Sequence, residues 1–190
     1  FLDIGNVFED AADFISSNGD IAEQSGDYGI GPYNNDTNTW TTWSTSDAIS
    51  NGNLVSGKGY QMATDSGATL AFTGTLDTDA TETISVESFT DGSGSRWNLI
   101  SNPYPSYITI GPSTTTDTFL EVNEGVIDDT YTGVYGYDAD NSNGSNYTVY
   151  NNTTTGKMAP GQGFFVAARS TTAANITFKE EMQTTSTGDD

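Results

Sequence analysis

Almost all the residues of this sequence that could perform acid–base chemistry are carboxylates. The chain has 190 residues, with 26 Asp and Glu, 5 Lys and Arg, and neither His nor Cys. His-based triads, thiol nucleophiles and Cys/His zinc sites are therefore excluded. A carboxylate pair could act as in a glycosidase, and the candidates are Asp128, Asp129, Asp138 and Asp140. Close pairs are expected by chance among so many acids, and none lies in a recognisable active-site motif, so we expect no catalytic residue and no enzyme.

One polar segment has the alternating oxygen side chains of a calcium loop. Asp138, Asp140 and Ser142 are the candidate ligands, since a hard cation takes oxygen donors. The glycine of this segment is at position seven of the loop rather than six, and Val149 stands at position twelve in place of Glu. The alternative is a polar hairpin turn of residues that tolerate left-handed dihedrals. We expect no cofactor, with calcium as the one candidate.

Aromatic residues flank this segment and the similar segment 34–38. They are Tyr33, Trp40, Trp43, Tyr147 and Tyr150. Flat rings stack on the apolar faces of sugars while Asn and Asp bond the hydroxyls, so these residues are candidates for glycan binding. Trp40 and Trp43 are three residues apart and would point to opposite faces of a regular strand, so one of them is expected in the core. Trp97, at the head of an apolar strand, is also expected in the core.

Basic residues are conspicuous because they are so scarce. Lys58, Arg96, Lys157 and Arg169 are expected to form salt bridges with the acidic surface, each contributing little. Recognition of a sulfated or uronic polysaccharide would require them to cluster. The net charge of −21 excludes nucleic acid as a partner and disfavours anionic membranes, and it suits solubility in a salty exterior. No apolar run reaches the ~20 residues of a membrane span.

The pattern of apolar residues predicts an all-β protein with one short helix near its start. Residues 7–15 place apolar side chains on one helical face, with Asn6 as the N-cap and Gly19 as a left-handed residue ending the helix. Elsewhere Thr, aromatic and β-branched residues alternate in short runs between Gly, Asn, Asp and Ser clusters, which is typical of strands and turns.

An internal repeat divides the chain. Residues 57–63 (GKGYQMA) align with 161–167 (GQGFFVA) at an offset of 104, and the same offset matches Tyr33 with Tyr137. With small insertions, Trp43 also matches Tyr150, and 70–72 match 176–178. We predict a β-sandwich of two pseudo-repeated halves, 1–92 and 93–180, followed by a linker-like tail, 181–190. The second half opens with the strand and turn at 96–105, whose equivalent would precede Phe1. The first half therefore lacks its opening strand, which leaves an open edge or one that a neighbouring molecule completes.

Three segments of the second half carry a family resemblance. Residues 97–106 (WNLISNPYPS), 134–138 (VYGYD) and 159–166 (APGQGFFV) resemble a repeat of large secreted or cell-surface proteins of Bacteroidota, which is common ahead of type IX secretion sorting domains. The chain departs from that pattern at Ser101, where Gly is usual, and in the missing first-half motif. The resemblance implies an exported β-sandwich accessory module without catalytic residues.

These observations leave three functions open, all extracellular or at the cell surface. The first is a structural or adhesion module that assembles with neighbouring copies or adjacent domains through β-edge contacts, which the missing strand and the tail favour. The second is a carbohydrate-binding module that tethers a secreted polysaccharide-degrading enzyme to its glycan. The third is a passive spacer in a larger exported enzyme. Because the chain starts at Phe1 without Met or a signal peptide, we expect a processed product or an excerpt.

Overall fold

The computed structural model describes residues 10–44, 46, 53–74, 79–90, 92–114, 117–137 and 147–185. Nearly all of its regular structure is strand, every strand pair is antiparallel, and the two α-helices are short. The prediction of an all-β fold is confirmed. The arrangement of two halves as a β-sandwich stays a prediction.

The elements follow one another in chain order. The helices are α1 (Ala11–Ser17) and α2 (Phe119–Val122), and 3₁₀ turns span Asp129–Tyr131 and Glu180–Met182. The strands are β1 (Glu23–Gln24), β2 (Asp27–Tyr28), β3 (Ile30–Asn34), β4 (Thr39–Trp40), β5 (Trp43–Ser44), β6 (Tyr60–Met62), β7 (Thr81–Val86), β8 (Trp97–Ser101), β9 (Tyr107–Thr109), β10 (Val134–Tyr137), β11 (Tyr147–Tyr150), β12 (Lys157–Met158), β13 (Gly163–Ala167), β14 (Ala174–Lys179) and β15 (Gln183–Thr184).

The first helix begins later than predicted. Its N-cap is Asp10, whose carboxylate accepts the amide of Ala12 at 2.8 Å, and the predicted cap, Asn6, lies outside the described residues. Gly19 does not have a positive φ, and the prediction of a left-handed glycine is wrong. The helix ends instead at Asn18, whose side-chain amide donates to the carbonyl of Phe14 at 2.9 Å. A side chain thus satisfies the carbonyl that a left-handed glycine would otherwise help to satisfy.

The second helix ends in the same way. The Asn123 amide donates to the carbonyls of Phe119 and Thr177 at 2.8 and 2.9 Å, and its oxygen accepts the Thr177 amide at 2.8 Å. In the first helix, Asn18 makes the matching pair of bonds with Ala71, at 2.9 and 2.7 Å. Each Asn therefore ties a helix end to an extended segment, and the correspondence supports the predicted repeat.

Strand register repeats as well. In β3 and β6, Gly31 lies opposite Gln61 and Pro32 opposite Tyr60. In β10 and β13, the positions 104 residues later pair in the same way, residue 135 with 165 and 136 with 164. Both strand pairs continue into a hairpin, β3–β4 in the first half and β10–β11 in the second.

Strand β8 joins the two halves. It is the end strand of the sheet ordered β11-β10-β13-β8. On its other side, the Gly59 amide donates to the Leu99 carbonyl at 3.2 Å and the Ser101 amide donates to the Gly57 carbonyl at 2.9 Å. The Ser101 hydroxyl adds a bond to the Lys58 carbonyl at 3.0 Å. The first-half edge that was predicted to be open is therefore covered at residues 57–59 by the opening strand of the second half.

The apolar side chains form two cores. The first contains α1 with Ile30, Trp43 and Tyr60. The second, larger core contains α2 and residues from β8 through β14. Val86 of β7 also belongs to this core. Strand β7 pairs along its whole length with β14. Residues before the predicted boundary at 92 thus complete the second core.

Two segments singled out in the sequence prove to be structural. The Asn102 side chain is fully buried. It donates to the carbonyls of Ser106, Met158 and Ala159 and accepts the Tyr104 amide. The Asn-Pro-Tyr-Pro element therefore stabilises the fold from inside. The start of the predicted tail also packs on the chain itself, because Met182 is buried in the second core and β15 pairs with β9. Within the described residues, the helices are too short and too polar to cross a membrane.

Candidate functional site

The sheet containing β13 has one face in the core and another that carries aromatic rings. Successive residues of a strand point to opposite faces. Phe164 and Ile100, which pair across β13 and β8, lie in the second core. Phe165 and its partner Tyr135 therefore lie on the other face, and so does Trp97, two residues before Leu99, which also pairs with Phe165.

The hairpin of β3 and β4 brings two more rings over that face. Tyr33 and Trp40 are direct partners in this hairpin, with ring centroids 5.3 Å apart. Both rings meet Phe165 edge-on, at 5.3 and 5.9 Å. Tyr147 of β11 approaches Phe165 from the other hairpin at 6.1 Å. Phe165 is thus the floor between two hairpins that the repeat predicts to be equivalent.

Together these residues enclose a cleft of about 390 Å³. We call it the aromatic cleft, and its lining consists of Tyr33, Asn38, Trp40, Trp97, Tyr135, Tyr147 and Phe165. The volume lies within the range of small-ligand sites, ~300–1,000 Å³. The rim is accessible, since Trp40 and Tyr147 are 43% and 41% exposed, while Phe165 is only 7% exposed.

The loop of the first hairpin is a polar turn that positions Asn38. The Asn34 side-chain oxygen accepts the amides of Asp36 and Thr37 at 3.0 and 3.3 Å. Asn38 has a φ of 54°, a left-handed conformation that Asn tolerates. The Tyr33 hydroxyl donates to the Asn38 side-chain oxygen at 2.6 Å, which holds both groups at the edge of the cleft.

The structure brings together three of the five predicted glycan-binding residues. Tyr33, Trp40 and Tyr147 line the cleft. Trp43 does not, because it is 3% exposed and packs against Tyr60 in the first core. Tyr150 is half-buried against the second core.

Four lining residues were not predicted: Asn38, Trp97, Tyr135 and Phe165. The placement of Trp97 in the core was wrong. It is half-buried on the outer face, where its ring contacts Tyr135 at 4.7 Å. Its face follows from its pairing with Ala167, the neighbour of the core residue Val166, and this register is known only from the structure.

The carboxylates considered for catalysis have structural roles where the structure describes them. Asp128 caps a 3₁₀ turn by accepting the Thr130 amide at 2.9 Å, and it pairs with Arg96 at 2.5 Å. Asp129 pairs with Arg169. Asp138, Asp140 and Ser142 lie outside the described residues. Across the ranges that the structure does describe, no three acidic side chains converge in a way that could hold a metal ion.

Burial changes the titration of two tyrosines of the cleft. It raises the pKa of Tyr147, with smaller contributions from Tyr137 and Tyr33. It also raises the pKa of Tyr135, with a smaller contribution from Tyr131. Both hydroxyls therefore ionise at higher pH than an ordinary tyrosine, whose pKa is about 10.

The folded state should accordingly lose stability at high pH. A folded-state pKa above the unfolded value contributes stability below about pH 10, and this contribution is lost as pH rises through the folded pKa. In a spectrophotometric titration we expect late-ionising tyrosines in the folded protein, with all tyrosines ionising together in denaturant. Tyr147→Phe should remove part of the late amplitude, and an unchanged late amplitude would contradict the assignment.

Comparison of the chain with protein-family models, with curated proteins and with solved structures gives no match. The resemblance to the Bacteroidota repeat therefore stays a prediction, and the aromatic cleft is the feature of the structure that bears on function.

Proposed function

We propose that this chain is a non-catalytic, extracellular carbohydrate-binding module and that the aromatic cleft is its glycan site. The observation that supports this most directly is the convergence of Tyr33, Trp40 and Tyr147 from two hairpins around one open cleft. The resemblance to an exported Bacteroidota module supports the extracellular setting.

The chemistry of the lining suits a sugar. Pyranose rings present C–H faces that pack on aromatic rings, and their hydroxyls require hydrogen-bond partners at the edges of those rings. The cleft offers both, since the rings of Trp40 and Tyr147 are partly exposed and polar groups lie beside them. The indole N–H groups, the tyrosine hydroxyls and the Asn38 amide are those polar groups.

A structural module that assembles through β edges has less support. The sequence favours that function because the first half lacks its opening strand. In the structure, however, residues 57–59 have β8 as a neighbour. Among the described pairings, several strands have a single partner and leave an outer edge for strand addition, and β4 and β11 are two of them. Both strands carry cleft residues, and a neighbouring copy added there would approach a molecule of net charge −21.

The test is binding of Trp40→Ala to polysaccharides. Removing an exposed ring that stacks on a sugar should weaken binding at least about tenfold, equivalent to ~1.4 kcal/mol. Affinity gels containing soluble xylan, mannan, β-1,3-glucan or hydroxyethyl cellulose would measure retardation, and isothermal titration with the matching oligosaccharide would give the affinity.

Val55→Ala is the matched control. Val55 is a large apolar side chain that is 47% exposed, close to the exposure of Trp40, and it does not line the cleft. We expect it to bind like the wild type. Equal loss in the two variants, or no retardation of the wild type by any of these polymers, would overturn the proposal. Light scattering of the same samples would show whether a large assembly forms, which would favour the structural function instead.

A further inference from the structure

We infer that the aromatic cleft selects uncharged glycans and rejects uronic and sulfated ones. This inference depends on the proposed function, because it specifies the class of glycan that the same cleft binds. The charges around the cleft support it, because the sequence gives the number of charged residues and the structure gives their positions.

Among the residues that the structure describes, the lining contains no charged side chain. Six of its seven members are aromatic and the seventh is Asn38. A carboxylate or sulfate entering this cleft would lose hydration without gaining a cationic partner, which costs several kcal/mol for a buried charge. An uncharged hydroxyl loses much less and finds the tyrosine and Asn38 groups as partners.

All five basic residues of the chain lie within the described ranges, and none of them lines the cleft. Three are paired with carboxylates: Arg96 with Asp128, Arg169 with Asp129, and Lys179 with Asp117. The sequence left open a cluster of basic residues for polyanion recognition. The structure instead brings Arg96 and Arg169 to an adjacent pair of aspartates, so that the local charge cancels.

The other two cations lie elsewhere. Lys58 forms a bridge with Ile100, a residue of the second core, so its side chain lies on the sheet face opposite Phe165. Its ammonium group is 5.8 Å from the centre of the buried Tyr60 ring, and burial lowers its pKa. Lys157 lies on β12, in the sheet with β9 and β15, which contributes nothing to the cleft lining.

Arg96 is connected to the cleft lining through two successive ring contacts. Its guanidinium lies 5.3 Å from the Tyr131 ring centre, and Tyr131 contacts Trp97 at 5.5 Å. The same guanidinium donates to Asp128 at 2.5 Å, so this carboxylate compensates its charge. The pair therefore offers an incoming anion little net positive charge at this end of the aromatic surface.

The field of the whole chain acts in the same direction. A net charge of −21 repels a polyanion at distances up to about the Debye length, ~8 Å at physiological ionic strength. Salt screens this repulsion. Binding of an uncharged glycan should therefore be nearly independent of salt, whereas any residual binding of an anionic glycan should strengthen as salt is added.

The experiment compares polymers that differ in charge, with EDTA present throughout so that no divalent cation bridges acidic groups. The neutral set is hydroxyethyl cellulose, xylan, mannan and β-1,3-glucan, and the anionic set is alginate, polygalacturonate and chondroitin sulfate. Methyl-esterified homogalacturonan, which shares its backbone with polygalacturonate, completes a matched pair. Wild type and Trp40→Ala are run at about 0.05 and 0.5 M NaCl, which spans strong to weak repulsion.

We expect at least one neutral polymer to bind, to lose at least about tenfold in affinity in Trp40→Ala, and to bind equally at both salt concentrations. No anionic polymer should bind more than one-tenth as tightly. An anionic polymer that binds as tightly and requires Trp40 would overturn this inference and leave the carbohydrate-binding function standing. Binding that does not require Trp40, or no binding by either set, would overturn the proposed function itself.

Discussion

Asn123→Ala is expected to lower the free energy of unfolding by about 3 kcal/mol. The side chain is 1% exposed and makes three hydrogen bonds to backbone groups, two with Thr177 and one with Phe119. Alanine leaves two carbonyls and an amide without these partners inside the protein, and an unsatisfied buried group costs ~1–3 kcal/mol. It also removes the side chain that ties the end of α2 to β14. Phe119 of this helix packs against Phe164 and Phe178.

Chemical denaturation followed by tryptophan fluorescence would measure the loss. Asn175→Ala is the matched control, because Asn175 is exposed on β14, the strand that contains Thr177. It should change stability by less than about 0.5 kcal/mol. Asn18→Ala should behave like Asn123→Ala, since Asn18 makes the equivalent bonds in the first half. A change below about 1 kcal/mol in Asn123→Ala would show that water replaces the lost bonds and that the brace is not needed.

The second large effect is expected from Gly31→Ala. A Cβ at Gly31 would lie 1.8 Å from the backbone carbonyl oxygen of Thr41 and 2.8 Å from its carbonyl carbon. No rotamer can relieve a clash with backbone, so the chain after β4 must move. We expect a loss of about 3 kcal/mol, at the upper end of ordinary overpacking. Because β3 carries Tyr33 and pairs with Trp40, glycan binding should fall together with stability.

Gly19→Ala separates this clash from the general effect of replacing glycine. No atom comes within 4 Å of a Cβ at Gly19, and its φ is not positive. This variant should be neutral or stabilised by up to ~1 kcal/mol, since alanine restricts the unfolded chain. Thermal unfolding with a binding assay on the same samples would test both variants. Wild-type stability in Gly31→Ala would mean that the β3–β4 hairpin adjusts freely, and the cleft would then not be a preformed site.

The features of the fold that were predictable are those that depend on local pattern. Short alternating runs bounded by Gly, Asn and Asp identified several of the strands, such as β6, β7 and β13, and the aligned segments 57–63 and 161–167 have the same strand register. The helix was placed too early because Asn6 and Asp10 are both good caps, and periodicity does not choose between neighbouring caps. The helix end was misread because a glycine stood beside Asn18, whose side chain forms the actual cap.

The cleft was only partly predictable because its members converge through tertiary packing. Tyr33, Trp40 and Tyr147 could be chosen for their position beside polar loops. Phe165 could not, because it lies in β13, where all five residues are buried and the run reads as core on both faces. Its role follows only once the hairpin of β3 and β4 covers it.

The positions of the charged side chains could likewise not be predicted from the sequence. Composition states that cations are few, but which sheet face a lysine occupies depends on register. Lys58 faces the core side because it bridges to Ile100, and a shift of one residue would have placed it on the sheet face that carries Phe165. The proposed preference for uncharged glycans thus depends on strand register.

The position of β8 between the two halves also bears on how the chain completes its fold. Residues 57–59 acquire their neighbour only when residues 99–101 are available, and β7 must wait for β14, about 90 residues further along the chain. These long sequence separations favour slow folding, with early segments left unpaired until the later strands have been synthesised. They also couple the halves, so calorimetry should show one cooperative melting transition, and cleavage near residue 92 should release no stable fragment from either side.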